Sequence, residues 1–260
     1  MVEPPLFWSF VSTFKDHFSG HASDYAAARP RYNKALFEWI ASQCKIRSQA
    51  WDAGCGNGQA SVALAEYFDE VFASDPSDTQ INSATPHPNI RYAVEPAEQS
   101  SLPDNAVQCI CVAQALHWFD FDRFFAEVKR VLQPGGLLVV WTYEKSSINK
   151  NIDTVFEKLY RGTLDDYWPP ERKYVETAYR DIPFPLKEIP APHFQLQCDW
   201  NLSQYLAYLR SWSASQRYLS VTGVDAVALI EHEMQEAWGN PEDVFAVLWP
   251  LTVRAGRFAG

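Results

Sequence analysis

The sequence predicts a doubly wound α/β fold, a mostly parallel sheet with helices on both faces. Three observations predict it. Strand-like and helix-like patterns alternate from residue 31 to residue 143. A glycine turn, Gly54-Cys55-Gly56-Asn57-Gly58, joins a short apolar strand to a helix-forming run. Residues 107–113 are apolar except for Gln108, as expected for a strand buried on both faces. Such alternation implies parallel strands linked by helical crossovers.

The elements follow in order. Residues 31–42 read as a helix with Leu36, Phe37 and Ile40 on one face. Residues 49–53 form the first strand and 59–68 the next helix. A second strand, 70–74, ends at Asp75. A short helix at 78–84 leads to a third strand at 89–94. Residues 107–113 are the fourth strand, and 121–132 a helix stopped by Pro134-Gly135-Gly136. The fifth strand is 137–143. After Glu144 the alternation ends. Residues 145–192 are rich in proline, tyrosine and charge, and read as a helix at 152–161 followed by a lid-like insertion. Residues 194–200 alternate as a strand, 202–212 and 226–238 are helical, and 244–254 close the chain as a seventh strand. The 260 residues are expected to form a single domain, with a core at 20–143 and a mainly helical cap at 145–220.

Composition narrows the function. Hydrophobic residues make up 47% and charged residues 21%, as in an ordinary globular protein. The formal net charge of −10 opposes binding to nucleic acid phosphates or anionic lipid, so neither is expected as a partner. The five cysteines are odd in number and lack C-x-x-C spacing, which points to no zinc site and no disulfide framework. Residues 1–18 lack a basic start and a long apolar run, and no stretch is long enough to span a membrane. The expected setting is cytoplasmic, as a monomer or weak homodimer. Ten tryptophans, many in the second half, suit a pocket for a small organic ligand.

The glycine turn carries the chemistry. Glycine allows a ligand to approach the backbone closely, and the helix that follows presents unpaired N–H groups. The dinucleotide fingerprint is G-x-G-x-x-G, but here Gln59 stands where its third glycine belongs. Asp52 lies two residues before Gly54. A carboxylate there repels a pyrophosphate and attracts an ammonium group, so the turn suits S-adenosylmethionine better than NAD. Asp75 lies 21 positions after Gly54, where the end of strand two can reach ribose hydroxyls.

Four segments resemble the class I S-adenosylmethionine-dependent methyltransferases. They are Asp52 to Gly58, Ala73 to Ser77, Ala97-Glu98 with Leu102 to Asn105, and Ala113 to Phe119 with Leu132 to Gly136. The run Gln114 to Asp120, the early Tyr25 to Pro30 and the late Tyr208 to Ser213 are similar to a narrower branch, the trans-aconitate-methyltransferase-like small-molecule enzymes. The resemblance implies a Rossmann-like sheet and S-adenosylmethionine as cofactor. It implies that Asp52, Gly54, Cys55, Gly56, Gly58, Asp75 and Pro76 cradle that cofactor, with no metal. It places Ala97 and Glu98 beside the adenine, although Pro96 replaces the usual acidic residue there. It places Gln114 on the methionine side, and Tyr25 and Arg29 over the cofactor, with Arg29 on the methionine carboxylate.

His117 and Trp118 fall just past strand four, where the methyl group would emerge. His117 is either a general base or a packed histidine that shapes the site. Arg210 and Trp212, on a late helix, are candidates to meet the acceptor. The expected reaction is methyl transfer to a small molecule, with a carboxylate as one candidate acceptor. Two alternatives stand beside it: a cofactor-binding regulator without catalysis, and a nicotinamide-dependent oxidoreductase.

Overall fold

The structure is a computed structural model that describes residues 32–259. Strand β4 (Val107–Ala113) sits in the middle of the sheet, and only its last residue is not fully buried. It pairs in parallel with β1 (Gln49–Ala53) on one side and with β5 (Leu132–Tyr143) on the other. β1 pairs in parallel with β2 (Glu70–Asp75), and β2 with β3 (Ile90–Val94). Strand period then assigns the two faces. On β1, Ala50 points into one core and Trp51 into the other; on β4, Cys109 and Ile110 divide in the same way. The first core holds Leu36, Phe37 and Ile40 of α1 (Lys34–Gln43). The second holds Phe124 and Val128 of α4 (Phe121–Val131).

Local chemistry sets the helix ends. Asn33 caps α1, so this helix begins three residues later than the apolar pattern alone predicts. Asp120 caps α4 by accepting the Arg123 N–H, and Lys129 and Arg130 complement its last turn. Helix α2 (Gln59–Leu64) is four residues shorter than predicted, and α3 (Asp78–Asn82) is capped by Ser77. Leu132 is already extended, so α4 ends before Pro134, and β5 starts earlier than predicted.

The second half differs most from expectation. The helix predicted at 152–161 is α5 (Lys150–Glu157), continued by one wider π-helical turn over 158–163. A short α6 (Arg172–Glu176) follows within the proline-rich stretch. An eighth strand, β6 (Lys187–Ile189), was not expected. It lies among Pro183, Pro185, Pro190 and Pro192, and prolines are confined to sheet edges because they cannot donate to a ladder. β7 is Phe194–Trp200. The span 202–212 holds α7 (Leu202–Arg210), after which the chain turns into the unexpected α8 (Ser213–Thr222). Of 226–238, only α9 (Glu231–Trp238) is α-helical. The last strand, β8 (Phe245–Arg257), runs antiparallel to β5. Its opposite edge takes β7 along residues 245–251 and β6 along residues 255–257. The order is β3-β2-β1-β4-β5-β8-β6, an eight-stranded mixed sheet in an α/β fold. Among the described residues no helix is long and apolar enough to cross a membrane.

Candidate active site

The glycine turn leaves the carboxyl end of β1, and the three glycines serve different needs. Each has a positive φ: +69° at Gly54, +55° at Gly56 and +84° at Gly58. A Cβ on Gly54 would lie 2.8 Å from Ala115 Cβ and 2.9 Å from Phe119 Cζ, so close packing excludes a side chain. A Cβ on Gly58 would lie 2.4 Å from the Tyr92 hydroxyl. A Cβ on Gly56 would meet nothing nearer than Gln80 Oε1 at 3.8 Å. Gly56 therefore opens onto space, and its backbone is accessible to a ligand. Cys55 between them is buried, and burial holds its thiol well above the usual range, in the un-ionised form.

Asp75 closes this loop. Its Oδ2 accepts the Gly56 N–H at 2.9 Å and its Oδ1 the Ser77 N–H at 2.9 Å. One carboxylate thus ties the glycine turn to the start of α3, with Pro76 between them half-buried. Asp52 is fully buried. Its Oδ2 accepts from the Ser61 hydroxyl at 2.6 Å, while its Oδ1 has no partner among the described residues. Burial raises the Asp52 carboxyl to about 7; the Ser61 hydrogen bond opposes this and the Asp75 charge adds to it.

The next strand ends supply the rest. Ala97 is buried, and Glu98 accepts the Asp120 N–H at 2.8 Å through Oε1, joining this turn to the start of α4. Gln114 follows β4 with φ +55°. Its amide makes two bonds to Tyr143, accepting the N–H at 2.9 Å and donating to the carbonyl at 3.1 Å. The expected methionine-side residue thus zips the ends of β4 and β5 together. His117 is buried on a single 3₁₀ turn (Leu116–Trp118), with Nδ1 2.8 Å from the Tyr179 hydroxyl. Burial lowers the imidazole to about 3, helped by the Arg172 charge, so it is neutral near pH 7. Trp118, half-buried, lies with its ring 4.8 Å from the His117 ring.

The cap residues are placed less as expected. Arg210 gives Nε to Asp225 and Nη2 to Glu231, both at 2.7 Å. Its charge is met by two carboxylates that follow the 145–220 segment, where the sequence suggested an acceptor contact. Trp212 is buried among Phe156, Tyr160, Trp168 and Tyr208, at ring distances of 5.5–5.8 Å. It too is held by cap packing, where the sequence suggested an acceptor contact. Tyr25 and Arg29 lie outside the described residues. Sequence reasoning missed Tyr179, which is 62 residues from His117 and has no motif around it. It also missed Ser61, which faces Asp52 from α2. Among the described residues no cluster of His, Cys, Asp or Glu is arranged to hold a metal.

A mostly parallel sheet with an acidic, glycine-rich turn at the carboxyl end of β1 places the chain among α/β proteins built to bind a ligand at that edge. Residues 51–140 match the family described as Methyltransferase domain. A Dictyostelium discoideum protein named as a methyltransferase is 36% identical over 229 residues, covering 86% of this chain and 87% of its own. A solved structure from Anaeromyxobacter dehalogenans, described as a type II methyltransferase, superposes with a TM-score of 0.83. It is 45% identical, covering 88% of this chain and 97% of its own. A Saccharomyces cerevisiae protein named as an S-adenosylmethionine-dependent methyltransferase is 31% identical over 131 residues, covering 47% of this chain and 45% of its own. The chain belongs to the S-adenosylmethionine-dependent methyltransferases. The residues present fit that cofactor. Gly56 is open to a ligand, the partnerless Asp52 Oδ1 is an acceptor without a donor, and two aspartates suit a cationic, hydroxyl-bearing molecule.

Proposed function

We propose that this enzyme methylates a small-molecule acceptor under the cap formed by residues 145–220, and that a carboxylate is the acceptor class. The neutral, buried His117 is the observation that carries this reading. An imidazole held at about 3 takes up protons poorly near pH 7, so an acceptor that must lose a proton gains little from it. A carboxylate has a solution pKa of ~4 and needs no base. His117 then shapes the site, and Tyr179 fixes its ring. The aromatic cap supports a small acceptor, since packed rings exclude water and orient a small molecule.

The cofactor supplies an electrophilic methyl group on a sulfonium. The chain's own residues bind and orient. Asp75 would hold the ribose while it organises the glycine turn, and Asp52 would face the amino end. Ala97, Glu98 and Pro76 would border the adenine. Gln114 would set the floor on the methionine side by fixing Tyr143, and Tyr25 and Arg29 would close over it. The reading keeps the enzyme in the narrower trans-aconitate-methyltransferase-like branch, cytoplasmic, as a monomer or weak homodimer. Of the late segment shared with that branch, Tyr208 and Arg210 serve the cap itself, through Trp249 and the Asp225–Glu231 pair.

The test is a methyl-transfer assay with S-adenosylmethionine over small metabolites, peptides and RNA, beside calorimetric titration with S-adenosylhomocysteine and NAD. Transfer to small acids and binding of S-adenosylhomocysteine alone are expected. Transfer to peptide or RNA in preference to every metabolite would overturn the small-molecule reading. Binding without any transfer would favour a regulator.

A further inference from the structure

Arg172 is placed unlike the other arginines of the cap. It opens α6, which packs directly against the 3₁₀ turn that carries His117. Its Nε donates to the Tyr160 hydroxyl at 2.9 Å, and that hydroxyl donates in turn to Glu176 Oε1 at 3.0 Å. Its guanidinium lies over the Trp168 ring, 4.6 Å from the centroid. Two sides of the group are thus fixed, while no described carboxylate lies within 4.0 Å of it. Among the hydrogen bonds of the described residues, none uses its Nη atoms. A guanidinium held over an aromatic ring with its fork left over is prepared for an oxyanion.

The surrounding charges favour this use. Glu176 is taken by Arg161 at 3.0 Å and Glu157 by Lys145 at 2.7 Å. Exposed Arg180 adds a second positive charge, and both arginines act on Glu144, just past β5. Burial raises Glu144 toward its neutral form, and the Arg172 and Arg180 charges oppose that. The Arg172 charge also acts on His117 and Tyr179. Because α6 packs on the turn that follows β4, Arg172 lies toward the carboxyl end of that strand, where ligands of open α/β sheets bind. Arg210, by contrast, has both its arms filled.

We propose that Arg172 is the residue that recognises the methyl acceptor, binding an oxyanion of it through the Nη fork while Tyr160 and Trp168 hold the guanidinium in place. The proposal rests on the small-molecule methyltransferase reading above. Recognition is of an orienting group on the acceptor, so the carboxylate or phosphate held by Arg172 need not be the methylated one.

The experiment uses the full chain with S-adenosylmethionine. Small hydroxy-, amino- and dicarboxylic acids are assayed, each beside its amide, and a second arm pairs phosphate monoesters with their parent alcohols. The charged members are expected to be methylated in preference to their neutral partners, and the two arms tell a carboxylate from a phosphate. On the best acceptor, Arg172→Gln should raise KM by ~10- to 100-fold, the loss expected for charge-assisted hydrogen bonds. Its affinity for S-adenosylhomocysteine should stay unchanged. Arg172→Lys should recover part of the loss, because it keeps the charge without the fork. Glu144→Gln should lower KM by removing the competing carboxylate. Equal use of charged and neutral acceptors overturns the proposal, as does an unchanged KM in Arg172→Gln. A wild-type chain that binds S-adenosylhomocysteine but methylates only neutral metabolites sinks this proposal and leaves the methyltransferase reading standing. Failure to bind S-adenosylhomocysteine sinks both.

Discussion

Around residues 54–58 the backbone carries the site: three glycines hold φ between +55° and +84°, and Asp75 binds the turn by accepting main-chain N–H groups. Around residues 156–212 side chains carry the structure: Tyr160, Trp168 and Trp212 pack with ring centroids 4.9–5.8 Å apart. The first region is local in sequence and tolerates few residue types at each position. The second is assembled from distant residues, and its charges mostly satisfy one another. A cofactor common to many enzymes suits the first construction. An acceptor particular to one enzyme suits the second, where a single uncommitted group such as Arg172 can decide recognition.

Variants in the two regions should fail in different ways. The largest effect is expected in the cap. Trp212→Ala removes a buried ring from the aromatic cluster and should cost ~3–5 kcal/mol of stability, read as a lower denaturant midpoint. A near-normal midpoint would show that the cap is not packed as one unit with the core.

The glycines should separate folding from binding. Gly54→Val forces a branched side chain against Ala115 and Phe119 at positive φ, and should cost ~2–4 kcal/mol. Gly56→Asn adds a side chain where there is room, in a backbone region that asparagine tolerates. It should keep a near-normal melting temperature yet bind S-adenosylhomocysteine much more weakly. Equal behaviour of the two variants in melting and in titration would erase the distinction.

Asp75→Asn comes next. Its amide would set an NH₂ group against one of two main-chain N–H donors, so the turn should loosen and S-adenosylhomocysteine affinity fall by ~10- to 100-fold. An unchanged dissociation constant would show that the ribose is held elsewhere.

A pH-dependent effect belongs to Asp52. Its carboxyl titrates near 3.8 when unperturbed and about 7 in the folded chain. Between these values the folded state keeps a proton that the unfolded state releases. Stability therefore falls as pH rises from about 4 to about 7 and levels off above, where both forms are ionised. Melting curves of the ligand-free protein should show this slope, and Asp52→Asn should flatten it.

The smallest effect is expected from Arg210→Ala. Its ion pairs are partly exposed and worth about 1 kcal/mol or less. Acceptor KM should not change, in contrast to Arg172→Gln. A raised KM would return Arg210 to the acceptor site.

The sequence by itself determined the strands and the glycine turn of the first half. Gln49–Ala53 and Val107–Ala113 were legible to the residue, because a short, mostly apolar run before a turn reads as a strand buried on both faces. Gly54, Gly56 and Gly58 were legible because backbone strain is written in residue type at the position itself. Which of the three is open to a ligand was not legible, since that depends on Ala115, Phe119 and Tyr92 arriving from elsewhere. The tertiary structure alone decided the cap. Arg210 and Arg172 look alike in sequence, but one meets Asp225 and Glu231 while the other rests on Trp168. Strand β6 escaped notice because three residues at a proline-flanked edge carry too little pattern to be read. Tyr179 pairs with His117 only once the chain has folded back across 62 positions. Periodicity and glycine report local constraints; the partner of a charge or of a hydroxyl is a long-range fact, which only packing supplies.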